Sequence, residues 1–98
     1  MVILVNALID AAVSEDDGAI VFKRLREALE THEIVTLSFS GLKTATTSFV
    51  NTAFVPLLDS YTFSEIKLRV KVIDSTRQIN HMIKWRLETE AKASSQAS

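Results

Sequence analysis

A small α/β layer with a mostly parallel sheet and three main helices packed on it is the fold class this sequence predicts, and three observations predict it. Apolar residues switch between alternation and helical spacing, giving strand, helix, strand, helix, strand, helix along 98 residues. Successive strands separated by helices join through right-handed crossovers, which makes them parallel. With 47% hydrophobic and 23% charged residues, the chain holds one domain with one modest core.

The elements follow in order. Residues 2–5, "VILV", form a short β-branched and leucine run suited to a strand buried on both faces. "NALIDAAV" fits either a strand extension or a helical turn. "SEDDG" supplies a helix start, with Ser14, Asp16 or Asp17 placed to accept from exposed N–H groups. From Ala19 to Thr31, Val21, Leu25, Ala28 and Leu29 recur at three and four, with Phe22 beside them. That is an amphipathic helix on a sheet. "EIVTLSF", 33–39, is the second strand, with Val35, Leu37 and Phe39 on one face and Thr36 and Ser38 on the other. Gly41 allows the turn that ends it.

A second helix is expected from Thr47 to Tyr61 on Phe49, Val50, Ala53, Phe54, Leu57 and Tyr61. Pro56 inside it has no N–H to donate back to residue 52, which is expected to kink the helix or weaken a turn. The third strand is read as "IKLRVKVID", 66–74, where Ile66, Leu68, Val70 and Val72 alternate with Lys67, Arg69 and Lys71. The third helix starts at an Asp74 or Ser75 cap and carries Ile79, Met82, Ile83 and Leu87 at helical spacing. Residues 1–89 make the domain, and the polar stretch 90–98 is expected to be a flexible C-terminal tail.

Composition narrows the function classes. Cysteine is absent, which excludes a disulfide framework, a thiolate zinc site and a thiol nucleophile. The net charge of −1 provides no global field toward nucleic acid or an anionic membrane. No apolar run approaches the ~20 residues needed to span a bilayer, and the N-terminus lacks a basic leader, so a soluble, cytoplasmic protein is expected. His32, His81, Asp59, Asp74 and Ser48 form no recognisable dyad or metal spacing. No catalytic residue, metal or cofactor is expected; the two histidines read as structural, and Trp85 as packed across its helix onto the sheet.

The stretch "GLKTATTSFVNTAF", 41–54, carries five hydroxyls where a strand gives way to a helix. In an open α/β sheet, working loops lie outside the carboxyl ends of the strands, and this loop follows the second strand. Thr46 or Thr47 suits a helix cap. A phosphate on Thr47 or Ser48 would add about −1.5 to −2 charges there.

The combination "DDG...LREAL...IVTLSFSGLKTATTSFVNTAF", over roughly residues 16–88, resembles the STAS-like family of unknown function, a relative of the STAS domains of anti-sigma-factor antagonists and sulfate transporters. Asp17 and Gly18 at the first helix start, the strand "VTLSFSGL" and the "TSFVNTAF" helix opening carry the resemblance. In the antagonists, the equivalent turn reads Asp-Ser-Ser/Thr-Gly, and a partner serine kinase phosphorylates one hydroxyl to release the complex. The resemblance places Thr46 at the Asp, Thr47 and Ser48 at the hydroxyls and Phe49 at the Gly, so that turn's acidic residue and glycine are missing here. It implies a bacterial, non-enzymatic signalling module for protein–protein interaction. The partner it implies is a histidine-kinase-type ATPase or serine kinase of the anti-sigma class; a homodimer is compatible.

The expected docking surface is the 44–48 loop with the first turns of the second helix, using Thr46, Thr47, Ser48 and Asn51. The alternative is a constitutive accessory subunit, for example from a phage or mobile element, without a phospho-switch. It would bind protein or nucleic acid through the basic residues Lys67, Arg69, Lys71, Arg77, Lys84 and Arg86. Residues 60–98 hold seven of the eleven Lys and Arg, although solvated faces explain most such patches and nucleic acid is not favoured.

Overall fold

The structure, a computed structural model, describes residues 1–96. Strand β1 (Val2–Leu4) is followed by a 3-10 turn over Val5–Ala7, so "NALIDAAV" opens as a turn, and Ala12 near its end makes an isolated parallel bridge with Ala45. Helix α1 (Glu15–Thr31) begins at Ser14, whose hydroxyl accepts from Asp17 N–H while the Asp17 carboxylate accepts from Ser14 N–H. This reciprocal box satisfies two donors that the first helical turn leaves free. Val21, Leu25, Ala28 and Leu29 are buried, as their spacing requires.

Strand β2 (Val35–Ser38) leads through a loop to helix α2 (Thr47–Ala53). The helix expected to reach Tyr61 stops there. A 3-10 helix over Val55–Asp59 takes over with Pro56 in its first turn, where a missing N–H costs nothing. The strand expected over 66–74 is also corrected: Phe63–Arg69 form helix α3, and only Val70–Ile73 form strand β3. The capping box of Thr62 with Glu65, a signal lying just before the alternating run, outweighs that alternation. Helix α4 (Arg77–Gln96) begins after Thr76, whose hydroxyl accepts from Ile79 N–H; neither Asp74 nor Ser75 is the cap. The stretch expected as a tail from residue 90 continues this helix to Gln96, and residues 97 and 98 lie outside the described part.

The sheet is all parallel in the order β1-β2-β3. One face presents Ile3, Val5, Val35, Leu37, Phe39, Val70 and Val72 to the helices; Phe39 stacks on Phe54 with ring centroids 6.5 Å apart. The other face carries two cross-strand rows, Val2–Thr36–Lys71 and Leu4–Ser38–Ile73. Val2 is 60% exposed and Leu4 52%, so β1 is buried on one face only. Every crossover moves to the next strand in the same direction, and with one handedness that puts all the helices on one side.

Candidate interaction site beside helix α2

The segment 41–51 is pinned to α4 along its length. Gly41 takes a left-handed φ of 83°, and Leu42 N–H closes the turn onto Phe39 O at 2.9 Å. Thr76 Oγ1 donates to Lys43 O at 2.7 Å. The Gln78 amide reads both backbone groups of Ala45, accepting from its N–H at 2.8 Å and donating to its carbonyl at 2.9 Å. One helical turn further along α4, Met82 Sδ accepts from Thr47 Oγ1 at 3.8 Å, and after another turn Arg86 Nε donates to Asn51 Oδ1 at 2.7 Å. Gln78, Met82 and Arg86 thus make one i, i+4 row that follows the loop and α2.

This geometry separates the hydroxyls that the sequence presents together. Thr46 is the cap of α2: its oxygen accepts from Phe49 N–H at 3.1 Å and its hydroxyl donates to Val13 O, while its backbone N–H donates to Ala12 O at 3.0 Å. Both hydroxyl functions are engaged, one capping α2 and the other holding the loop against the segment that leads into α1. Thr47 and Ser48 are exposed on the first turn, and Asn51 lies exposed one turn later. At the adjoining end of the sheet, Asp74 adopts a left-handed φ of 54° and its carboxylate accepts from the buried Ser38 hydroxyl at 2.8 Å.

Trp85 joins this surface and corrects its expected packing onto the sheet. Ile79, Ile83 and Leu87 form the inward stripe of α4, and at ~100° per residue a side chain two positions from Ile83 points outward. Trp85 is 47% exposed, with the Arg86 guanidinium 5.1 Å from its ring centroid. Arg86, only slightly exposed, also pairs with Glu90. Sequence reading missed Trp85 and Met82 here; measuring their phase against Ile79 and Ile83 was the available signal.

The basic residues do not form one face. Lys67 and Arg69 lie on α3, not on a strand with Lys71. Arg69 turns inward to the end of α1, donating to the carbonyls of Leu29 at 2.7 Å, His32 at 3.0 Å and Glu33 at 3.0 Å, and stacks over Tyr61. Arg77 is exposed in the first turn of α4. Lys84 and Arg86 are two residues apart on α4 and project in roughly opposite directions. His32 Nδ1 lies 2.9 Å from Thr31 Oγ1 and 3.3 Å from Ala28 O, at the end of α1.

A family model described as a STAS-like domain of unknown function matches residues 17–80. The chain belongs to that family. Among curated proteins and solved structures, nothing matches it. In this STAS-like domain the match starts at Asp17 and Gly18, where α1 and α2 meet backbone to backbone. A Cβ placed on Gly18 would lie 2.7 Å from Phe49 O and 2.8 Å from Thr52 Cβ. The matched residues include the whole pinned segment, whereas Met82, Trp85 and Arg86 lie beyond them. Among the described residues, no helix is long and apolar enough to cross a membrane, and no three His, Asp or Glu side chains gather as metal ligands.

Proposed function

We propose that this STAS-like domain is a non-catalytic protein-interaction module that binds a regulatory partner through the face shared by α2 and α4, using Thr47, Ser48, Asn51, Trp85 and Arg86. The observation that carries this reading is the half-exposed Trp85 stacked by Arg86, which is itself held by Asn51 beside two exposed hydroxyls. Trp and Arg on a rigid support are the side chains that most often dominate binding energy at protein interfaces. Thr46 serves this face as the cap that fixes it, and is not a phosphate acceptor.

Phosphate on Ser48 or Thr47 controls the interaction. Ser48 is the better acceptor, because the Thr47 hydroxyl is directed to Met82. About −1.5 to −2 charges added there would face the partner and compete with Glu90 and Asn51 for Arg86. A partner of the anti-sigma kinase type, working in a bacterial cytoplasm, fits this chemistry.

The test is a pull-down from native lysate with wild type, Trp85→Ala and a Thr47→Glu, Ser48→Glu double variant, all shown to be equally folded, alongside phosphosite mapping of the native protein. A partner retained by wild type and lost by both variants supports the reading. Retention of the same partners by all three overturns it, and absence of phosphate on Thr47 and Ser48 under every growth condition overturns the switch.

A further inference from the structure

A second surface, on the opposite side of α4 from Arg86, has a chemistry of its own. Strand β3 is an edge of the sheet. Beside it, between α3 and α4, runs an open groove of about 360 Å³ whose floor is Phe54, Ile66, Val72, Ile83 and Leu87. Lys67, Lys71 and Lys84 line the same groove. Lys67 lies 5.5 Å from the Phe63 ring centroid, Lys71 Nζ donates to Lys67 O at 3.4 Å, and Lys84 makes a long, exposed 3.9 Å pair with Glu88. Lys67 and Lys71, which sequence alternation placed with Arg69 on a strand face, therefore meet Lys84 of α4 around an apolar trough.

The backbone of β3 specifies the form of an occupant. Ile73 O accepts from Phe39 N–H at 3.0 Å, so the backbone groups of Ile73, and of Lys71 two residues earlier, point to β2. In an extended strand the neighbours point the other way, so Val70 and Val72 direct theirs to the open edge. Val70 N–H is used by Ile66 O at the end of α3. Val70 C=O and both groups of Val72 face outward. A strand laid along this edge, ~4.8 Å from β3, would send alternate side chains into the groove.

We propose that the β3 edge and its groove accept an extended segment of a partner protein, in which bulky apolar residues alternate with acidic ones. The apolar residues enter the trough over Ile83 and Leu87, the acidic ones lie on the opposite face of the added strand beside Lys71, with Lys67 and Lys84 at the groove adding attraction, and the backbone pairs with Val70 and Val72. A second copy of this chain is disfavoured as the occupant, because edge-to-edge pairing would bring two sets of these lysines together. This surface does not depend on the α2–α4 face.

The experiment uses the full chain and three synthetic probes: a short peptide alternating isoleucine and glutamate, the same peptide with N-methylated backbone amides, and one alternating isoleucine and lysine. Binding is followed by amide chemical shifts. The unmethylated acidic peptide is expected to shift Val70–Ile73, Ile83 and Leu87, and the N-methylated and basic peptides to bind at least ~10-fold more weakly. The Lys67→Glu, Lys71→Glu, Lys84→Glu variant should lose the acidic peptide, while Trp85→Ala keeps it, which separates this surface from the α2–α4 face. Equal binding of the N-methylated peptide overturns strand pairing, and equal binding of the basic peptide overturns the lysine rim. No binding of the acidic peptide, or concentration-dependent dimerisation that blocks it, overturns the proposal.

Discussion

Replacing Gly18 by Ala tests how the first and second helices are held together. Gly18 is buried in the first turns of α1, and an added Cβ would meet Phe49 O at 2.7 Å, Thr52 Cβ at 2.8 Å and Ala53 N at 3.2 Å. Two of these three atoms are backbone, so no side-chain rotation relieves the clash. Restoring ordinary contact of ~3.5 Å requires α1 and α2 to separate by roughly 0.7 Å. Ala gains about 1 kcal/mol over Gly in helix propensity, whereas overpacking a tight contact typically costs ~1–3 kcal/mol, with a backbone clash at the upper end. The net expectation is a loss of about 1–2 kcal/mol, read as a Tm lowered by roughly 5–15 °C for a domain of this size. Thermal melts of wild type and Gly18→Ala followed by circular dichroism measure it. An unchanged or raised Tm, the result that propensity alone gives, would refute the close approach.

Other substitutions separate scaffold from surface. Thr46→Ala should destabilise by about 1 kcal/mol in urea titrations and Thr46→Ser should recover most of it, while Thr47→Ala and Ser48→Ala each stay within about 0.5 kcal/mol. Equal losses at all three positions would mean that no hydroxyl is the dedicated cap. Arg69→Lys should cost about 1–2 kcal/mol and speed amide exchange at the end of α1, because an ammonium on a flexible stem does not reproduce the guanidinium's reach to three carbonyls. The Glu65 carboxyl titrates below the ordinary glutamate value, chiefly because Thr62 N–H, and then the Thr62 side chain, hydrogen-bond to it, with Arg69 adding a smaller attraction. Since the folded value is the lower one, the stability Glu65 contributes is present above the unfolded carboxyl's pKa and is lost as pH falls through the folded value. A carboxyl-carbon NMR titration should show this, and Thr62→Ala should move the midpoint back up.

Local signals were legible where they were strong and short-range. Ser14 and Asp17 read as a helix start because their chemistry satisfies N–H groups within one turn, and Val35, Leu37 and Phe39 read as one face because strand period alone sets it. The error at 66–74 has the same physical origin. Ile66, Leu68, Val70 and Val72 alternate, but Ile66 also lies at helical spacing from Phe63 and Val70, and the Thr62–Glu65 box decides for a helix. The hydroxyl-rich loop was identifiable by its place after β2, whereas the division of labour within it was not. Thr46 is separated from Thr47 and Ser48 by its cap bond from Phe49 N–H and by contacts with Val13 and Ala12, more than thirty residues away, and those long-range contacts no local pattern encodes.

The sequence by itself determined the α/β class, the parallel direction of the strands, most of the inward-facing residues and the resemblance to STAS-like domains, because periodicity and capping act over one or two turns. Tertiary structure alone decided that all helices lie on one face, that Trp85 joins α2's exposed hydroxyls through Arg86 and Asn51, and that Lys67, Lys71 and Lys84 meet around a groove. Each of those depends on the angle at which elements far apart in the chain pack, and no local pattern encodes that angle.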